Sequence, residues 1–533
     1  MSAARTMAFA SRTSERKRQS SFDWRRAAPT VIAAAFGLAY VLISPPSGDL
    51  ATHMFRARLF TEDPFGIWNN FWYSGHHIVG YSLLFPAASA ALTPQIAAAL
   101  AATGAAAAFE QLAHRRFGAD AWLGSCLFAV AIASELFAGR LAFAFGAFPA
   151  MAAVLALDRD RPWSAAALAF LSALCSPVAA LFTALAGCAY LVGARRRGGA
   201  LVAVAALVPI GLTALLFPEG GSEPFAFSAI WPIPVIAVAA LAALPPDFPV
   251  LRAGVIIYAL ATIVSYAIST PVGSNAARLG TLLAAPLAAL LWWPRRAAWL
   301  AVCLLPLLYL EWQAPVRDLV TSAGQPSVST GYYQPVITFL ERQPGPPFRV
   351  EIPFTRFHWE AYVVASRFPL ARGWERQLDI KYNPLFYDGR LTASSYAAWL
   401  HRTAVRFVAA SDAPLDYSAK EEMRLIDRGL PYLHLALRTA HWRIYAVRDA
   451  SPIAQGVGRL QAIGPSWLRL FAPSAGTTLL RVHYTPYWAL GQGSGCVEPA
   501  GDDTKLMLRR SGEVRLVTSF ALDRIRARSP RCT

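Results

Sequence analysis

The residues best suited to chemistry lie in two neighbouring stretches of the chain, 48–60 and 68–77. The thirty residues from 48 to 77 bring acidic, basic and aromatic side chains into an otherwise apolar half-chain: Asp49, His53, Arg56, Glu62, Asp63, Trp72, Tyr73, His76 and His77. At the mouth of a membrane bundle, a carboxylate beside a sugar or lipid-phosphate site can act as a general base. The alternative is a polar interfacial loop whose rings sit at headgroup level.

Asp49 and His53 are the candidate catalytic pair. Their spacing of four residues places them on one face if the loop is helical there. Asp49 is then the predicted base, and His53 orients it or holds a phosphate. The other polar and aromatic residues of the loop are predicted to contact substrate, with His76 and His77 facing the same cavity.

The composition indicates a membrane domain joined to something else. The 533 residues are 55% apolar and 15% charged, too hydrophobic for one soluble domain. The net charge of +17 comes from Arg residues scattered at the ends of apolar segments, which favours membrane topology over nucleic-acid binding.

Basic clusters predict the orientation of the apolar segments. Residues 1–26 form a basic tail that we assign to the cytoplasm, and 27–43 is then an uncleaved signal anchor. Later Arg clusters fall on alternate loops, on the side of the tail, which predicts about eleven crossings with the C-terminus outside. The predicted fold is a multi-pass α-helical membrane domain at 27–313, with its first outer loop at about 45–80, followed by an exported α/β domain at 314–455 and an exported β-sandwich-like domain at 456–533.

The last outer loop, 269–280, contains a candidate anion site. Arg278 is the only basic residue between Arg252 and Arg295. Together with Ser274, Asn275 and main-chain N–H groups it could bind a phosphate through charge-assisted hydrogen bonds. Arg140, alone on its outer loop, is a second candidate. The alternative is an Arg side chain that extends to the membrane interface.

The exported part carries a second polar set. Trp359, Glu360, Trp374, Glu375 and Arg376 place rings beside charged groups, as in carbohydrate-binding grooves, and could hold an acceptor. Alternatively, the two Trp residues are core anchors and the charges are solvated pairs.

Cysteines and familiar motifs narrow the possible functions. Cys496 and Cys532 are the only two cysteines of the exported part, and an oxidising exterior permits a disulfide between them. The sequence has no CxxC, Walker, GxGxxG or GxSxG motif. These absences argue against an ATP-driven pump, a dinucleotide enzyme and an α/β-hydrolase.

Five features occur together: the basic N-terminus, the single crossing before Gly48-Asp49, the element Trp72-Tyr-Ser-Gly-His-His77, the further crossings and the exported C-terminal part. In this combination they resemble GT-C membrane glycosyltransferases. That group includes bacterial cell-wall arabinofuranosyltransferases and mannosyltransferases. The resemblance implies a cytoplasmic-membrane enzyme of envelope biogenesis. It would transfer a sugar from a polyprenyl-phosphate donor to an envelope glycan or lipid acceptor on the outer face, with an acidic residue of the first outer loop as base.

Asp49 matches that base by position, but the loop lacks an acidic pair at its start. The nearest pair, Glu62-Asp63, follows thirteen residues later, so the choice of base stays open. A divalent ion, Mg or Mn, is compatible with Asp49, His53 and His76, although no closed ligand spacing requires one. The rival functions are a multi-pass transporter, a lipid or glycan flippase, and a non-catalytic scaffold of envelope assembly.

Overall fold

A computed structural model describes residues 23–533 of the chain. The basic tail predicted at 1–26 therefore lies outside the described residues except for its last four. The first helix, α1 (Trp24–Ile43), contains the predicted signal anchor. Asp23 caps it by accepting a hydrogen bond from the N–H of Arg25.

Thirteen further helices complete the apolar half of the described chain. Their bounds are α2 (Gly48–Glu62), α3 (Phe85–Leu92), α4 (Pro94–Phe117), α5 (Trp122–Phe137), α6 (Leu141–Asp158), α7 (Pro162–Cys175), α8 (Pro177–Ala194), α9 (Gly198–Leu216), α10 (Phe227–Ile230), α11 (Pro232–Ala243), α12 (Pro249–Ala267), α13 (Arg278–Trp292) and α14 (Ala297–Ser322). The residues buried where α4 packs against α5 and α6 are mostly small, above all Ala. Their short side chains let these helix backbones approach closely.

Eight helical segments between residues 23 and 533 are long and apolar enough to cross a membrane, fewer than the eleven crossings expected. The difference has two sources. The segment 94–137 counts once but contains both α4 and α5, and two apolar segments, Pro162–Cys175 and Phe227–Ala243, are shorter than the rest. The protein is a multi-pass membrane protein with a β-rich soluble C-terminal part.

Helix α2 is not among the membrane-crossing segments. It belongs to residues 45–80, for which we keep the predicted name first outer loop, as we keep the predicted name exported part for the chain after residue 313. The helix begins after Ser47, whose hydroxyl accepts a hydrogen bond of 3.1 Å from the N–H of Leu50. Asp49 in its first turn suits the positive end of the helix dipole. The helix packs between α3 and the exported part, which fixes both of its ends.

The strands β1 (Trp68–Asn69) and β2 (His76–His77) pair in the same loop. A four-stranded sheet follows in the exported part, with its strands in the order β3-β4-β6-β5 and only β3 and β4 parallel. The elements around this sheet are α15 (Gln334–Glu341), β3 (Arg349–Glu351), α16 (Glu360–Val363), α17 (Arg376–Tyr382), α18 (Ala393–Arg402), β4 (Val405–Ser411), α19 (Lys420–Asp427), β5 (Leu433–Arg438) and β6 (Trp442–Val447).

The last part of the chain is all β, in two antiparallel sheets that share one apolar core. The sheets have the orders β15-β12-β13-β10-β7 and β11-β14-β9-β8. A disulfide joins Cys496 to Cys532. The strands are β7 (Ala454–Gly456), β8 (Arg459–Ile463), β9 (Trp467–Ala472), β10 (Gly476–His483), β11 (Trp488–Gln492), β12 (Gly495–Ala500), β13 (Asp503–Leu508), β14 (Gly512–Thr518) and β15 (Arg531–Cys532).

The first outer loop docks both exported units onto the membrane bundle. Trp68 enters the core of the β unit, with its ring 5.5 Å from that of Trp488. The carbonyl of Phe71 accepts a hydrogen bond of 2.8 Å from the N–H of Leu370 in the α/β unit. The N-terminal end of α2 is consequently held at the junction of the bundle and the α/β unit.

Candidate functional site

Asp49 lies at this junction, on the first turn of α2. Its side chain is half-buried and, among residues 23–533, takes part in no ion pair. The turn is tight because Gly139, at φ +76°, lies against Ser47, and an added Cβ there would come within 2.0 Å of the Ser47 hydroxyl. Gly139 therefore packs closely against the start of α2.

Two Arg side chains from the membrane domain lie close enough to Asp49 for their charges to act on its carboxyl. Arg278 is the first residue of α13, after a short 3-10 turn at Gly273–Ala277 that contains Ser274 and Asn275. Arg140 immediately precedes α6, and its guanidinium lies 3.2 Å from Glu135. Arg278 is half-buried, stacks over Phe143 at 5.6 Å and has no carboxylate partner within the described chain. Its charge is left available for an anion.

The electrostatics of Asp49 follow from this setting. Burial raises the pKa of its carboxyl, while Arg278, Arg140 and the neighbouring indole of Trp374 act to lower it. The net pKa lies above its usual value, which makes the carboxylate a stronger proton acceptor once it is ionised. We use the name recess for Asp49 together with the three residues that lower its pKa, Arg140, Arg278 and Trp374.

The exported side of the recess is built from the start of α17. The indole of Trp374 lies parallel to the ring of His358, with 3.3 Å between the ring centres. Arg376 is 4.7 Å above the same indole and donates two hydrogen bonds, of 3.0 and 2.7 Å, to Asp416. Two chain segments more than three hundred residues apart therefore meet at Asp49.

Glu223 is a second carboxylate of the recess, and the sequence analysis missed it. It lies in the loop between α9 and α10, and the hydroxyl of Ser274 lies 3.5 Å from its carboxylate. Burial and the charge of Asp49 raise its pKa to about 7, against the opposing effects of Arg376 and Arg278. Its position in the sequence could have indicated it, because Glu219 and Glu223 are the only acidic residues in that loop.

His53 shares a face of α2 with Asp49 but packs against an aromatic wall. Its ring centre is 5.0 Å from that of Phe85 and 5.9 Å from that of Tyr81. Burial, assisted by Arg56, lowers the pKa of its imidazole to about 3. The ring is neutral near pH 7 and brings no positive charge to a phosphate.

Arg56 and Glu375, both predicted to contact substrate, form a buried ion pair between α2 and the exported part. Trp72 and Tyr73 also join the loop to the α/β unit. The indole N–H of Trp72 donates to the carbonyl of Ala361 at 3.1 Å, and the hydroxyl of Tyr73 accepts from the N–H of Glu375 at 2.8 Å. These four side chains use their polar groups to hold the two units together.

His76 and His77 are also hydrogen-bonded within the protein. The ring of His76 bonds Asn69 at 3.1 Å and the main chain of His77 at 3.0 Å. The ring of His77 bonds Glu219 at 2.7 Å and Thr485 at 3.0 Å. The ring of His76 therefore holds the strands of the loop together, whereas that of His77 connects the loop to neighbouring segments.

The remaining predicted residues lie farther from Asp49. Glu62 and Asp63 follow at the other end of α2, about 20 Å away for thirteen residues of helix, and they bond Arg58 and Ser466. Glu360 is buried and accepts hydrogen bonds from Thr355 and Tyr333. Trp359 is 9% exposed and belongs to the core.

The proposed metal ligands do not come together. Among residues 23–533, no three His, Cys, Asp or Glu side chains form a group that could hold a metal ion. His76 uses both ring nitrogens in the bonds already described. Asp49, His53 and His76 therefore do not fit a shared Mg or Mn ion.

No protein-family model and no curated protein sequence matches this chain. Among solved structures, the chain is similar to ArnT from Cupriavidus metallidurans, whose crystal structure is of the apo state. The match covers 78% of this chain and 97% of that chain, with 13% sequence identity and a TM-score of 0.41. At that identity it assigns no role to any residue here.

Proposed function

We propose that the chain is a membrane glycosyltransferase of GT-C type. It moves a sugar from a polyprenyl-phosphate donor to a cell-envelope glycan or lipid acceptor on the outer face of the cytoplasmic membrane. The observation that carries the proposal is the recess, where the charges of Asp49 and Arg278 act on each other at the junction of the membrane domain and the C-terminal part, and where neither side chain has an ion-pair partner among residues 23–533.

The proposed reaction assigns one step to each group. Asp49 takes the proton of the acceptor hydroxyl as its oxygen forms a bond to the anomeric carbon. The bond from that carbon to the phosphate oxygen breaks, and the phosphate leaves with the electron pair. Arg278, with Arg140 beside it, stabilises the leaving phosphate by charge-assisted hydrogen bonds. Ser274 and Asn275 lie in the turn before Arg278 and are proposed to add polar contacts.

The proposed topology places this reaction at the outer face. Eleven crossings result if α4 and α5 cross separately and both shorter apolar segments also span. The Arg clusters after α4, α6, α8 and α13 then lie inside with the N-terminus. The recess and the C-terminal part lie outside, where a polyprenyl chain in the bilayer can present its sugar phosphate.

A transfer assay tests the proposal. Purified protein in nanodiscs is offered a panel of radiolabelled polyprenyl-phosphate sugars with envelope glycan and lipid acceptors. Asp49→Asn is expected to lower kcat by about 10²- to 10⁴-fold, the usual effect of losing a general base. Asp63→Asn, at the far end of α2, is the matched control and is expected to retain transfer.

Transfer that persists in Asp49→Asn would exclude Asp49 as the base. Movement of intact lipid-linked sugar across the bilayer, unchanged by Asp49→Asn and without transfer to any acceptor, would instead indicate a transporter. Both variants are compared with the wild type for thermal stability, so that loss of fold is not read as loss of chemistry.

A further inference from the structure

A continuous cleft lies between the two units of the exported part. The lining of one hollow, of about 630 Å³, includes Phe348 and Arg406 of the α/β unit. The lining of a second, of about 690 Å³, includes Arg459 and Arg469 of the β unit. Both hollows are lined by residues 345–347, so they form one cleft, and none of its lining residues belongs to the recess.

The cleft opens onto the outer face of the sheet β11-β14-β9-β8. Alternate residues of a strand share one face, and in β9 the residues on the outer face are Trp467, Arg469 and Phe471, because Leu468 and Leu470 are buried in the core. This strand therefore presents a ring, a positive charge and a second ring in a line.

The neighbouring strand adds a second positive charge at the same level. Arg515 of β14 lies directly opposite Arg469, and like charges at opposed positions of a sheet are destabilising. Neither guanidinium has an ion-pair partner among residues 23–533. Glu513, on the same face, instead accepts a hydrogen bond of 3.3 Å from Gln461. An anionic ligand would supply the missing negative charge.

The rings beside the Arg pair indicate the chemistry of that ligand. The guanidinium of Arg515 lies 5.3 Å from the ring centre of Trp467, and Phe471 is 39% exposed. Guanidinium forks bind carboxylates through two parallel hydrogen bonds. The faces of aromatic rings are apolar and pack against the CH groups of sugar rings. Rings and cations in alternation therefore suit a chain of acidic sugars.

We propose that the cleft and the outer face of β9 and β14 bind an acidic polysaccharide, a linear chain of sugar rings that carry carboxylates. Arg469 and Arg515 bind the carboxylates, and Trp467 and Phe471 pack against the sugar rings. A bilayer surface is also anionic, but it is too flat to enter a cleft between two units. The proposal does not depend on sugar transfer, because binding is measured without any donor.

The test uses the full-length protein in phosphatidylcholine nanodiscs and a fluorescent linear oligogalacturonate, with binding measured by microscale thermophoresis. The fully methyl-esterified form of the same chain has the same rings without the charges. We expect the acidic chain to bind, to bind more weakly as salt is added, and to bind at least about tenfold more tightly than the ester. Equal affinity for the two chains, or no binding of the acidic chain at low salt, overturns the proposal.

Arg469→Gln should lower the affinity for oligogalacturonate about tenfold or more, the range for losing hydrogen bonds between charged groups. Arg510→Gln removes the same charge from the exposed turn before β14, outside the cleft lining, and should bind as the wild type does. Without ligand, the Tm of Arg469→Gln should equal or exceed that of the wild type, because the opposition of like charges is removed. A lower Tm with unchanged affinity would assign Arg469 a structural role and overturn the proposal. Arg515→Gln repeats the test on the other strand.

Two further probes separate a polysaccharide from other anions. Phe471→Leu keeps an apolar side chain but removes the ring, and should weaken oligogalacturonate binding about two- to tenfold, the range for one aromatic contact. The binding of inorganic polyphosphate, an anion without rings, should not change in this variant. If Phe471→Leu leaves oligogalacturonate binding unchanged, the ligand is not a glycan. If phosphatidylglycerol vesicles displace the chain from the wild type and do not bind Arg469→Gln, the surface is a membrane contact and the proposal fails.

Discussion

The two ends of the first outer loop use similar residue types in opposite ways. At residues 68–77, the side chains of Trp72, Tyr73 and His77 are buried and hydrogen-bonded to neighbouring segments, and that of His76 is buried and hydrogen-bonded within the stretch. At the start of α2, Asp49 is half-buried, and in the described residues it has no ion-pair partner, as is also true of Arg278 opposite. The difference separates groups that hold the structure together from groups that remain available to a ligand.

This comparison explains why residue type alone is a poor guide to function. A histidine or a tryptophan beside a carboxylate suggests chemistry in the sequence, yet a buried polar group must find a partner whether or not it acts on a substrate. The informative state is a charged side chain that is held in place and still unpaired. Variants at the two ends should accordingly affect different quantities, stability at one and turnover at the other.

The largest effect is expected where the loop is tied to the exported part. Arg56→Ala leaves Glu375 buried without its partner, because the two side chains are each only 5% exposed. Breaking such a pair costs about 3–5 kcal/mol of stability, which should appear as a marked fall in Tm measured in detergent. Arg58→Ala, on the same helix and paired with the exposed Glu62, should cost about 0.5 kcal/mol or less. Equal stability of the two variants would contradict a stabilising role of the Arg56–Glu375 ion pair.

At the recess, Arg278→Ala should instead lower turnover while the protein stays folded. Losing one donor that stabilises developing charge costs about 10²- to 10³-fold in kcat. The pKa of Asp49 should rise further because a neighbouring positive charge is lost, so the acidic limb of the pH–rate profile moves to higher pH. The measurement is the kcat profile between about pH 5 and pH 9, a range that covers the expected change in charge. Arg295→Ala, exposed beyond the far end of α13, is the control, and a wild-type profile in Arg278→Ala would remove Arg278 from the site.

The apolar segments were predictable because a local run of apolar residues is enough to indicate a membrane helix. The unbroken apolar run 141–157, for example, forms α6, and the alternating apolar residues at 467–471 and 513–518 form β9 and β14. Arg278 and Arg140 stood out because an outer loop rarely carries Arg. Both face Asp49 in the structure, although their proposed roles still await the transfer assay.

The contacts across the chain were not predictable by the same means. Trp374 meets Asp49, and Glu219 meets His77, only after the exported units dock on the first outer loop. Such pairs leave no periodic signal, since their separation reflects tertiary packing and not the repeat of a helix or strand. Helix α2 was likewise only a conditional expectation, because its many polar residues give no clear apolar stripe and its burial comes from two other units.

The His77–Glu219 contact provides a smaller test of the structural end. Burial alone would raise the pKa of Glu219, but hydrogen bonding and charge from His77, with His76 and Lys381, lower it below its ordinary value of 4.5. A carboxyl with a lowered folded-state pKa stabilises the fold above its unfolded-state pKa and loses that contribution as the pH falls. Glu219→Gln should therefore cost about 1–3 kcal/mol at neutral pH, and the wild type should approach the variant in Tm as the pH falls below 4.5.

The matched control for that measurement is Glu341→Gln, which removes an exposed partner of Arg367 and should leave the Tm nearly unchanged. If the Tm difference between wild type and Glu219→Gln were constant from neutral to acidic pH, the ionised carboxylate would not be the source of the stabilisation.

The smallest effect is expected at Glu223, where the recess contains a second titrating carboxyl. Its pKa is raised to about 7 by burial and by Asp49, and the interaction is mutual, so ionised Glu223 also raises the pKa of Asp49. Glu223→Gln removes that charge and should move the acidic limb to lower pH, opposite to the effect of Arg278→Ala. We expect a shift below about one pH unit, equivalent to about 1.4 kcal/mol. Glu513→Gln, on the exposed face of β14, should leave the profile unchanged. A shift of the acidic limb to higher pH in Glu223→Gln would mean that the charge of Glu223 does not raise the pKa of Asp49. Glu223 would then no longer be assigned to the recess.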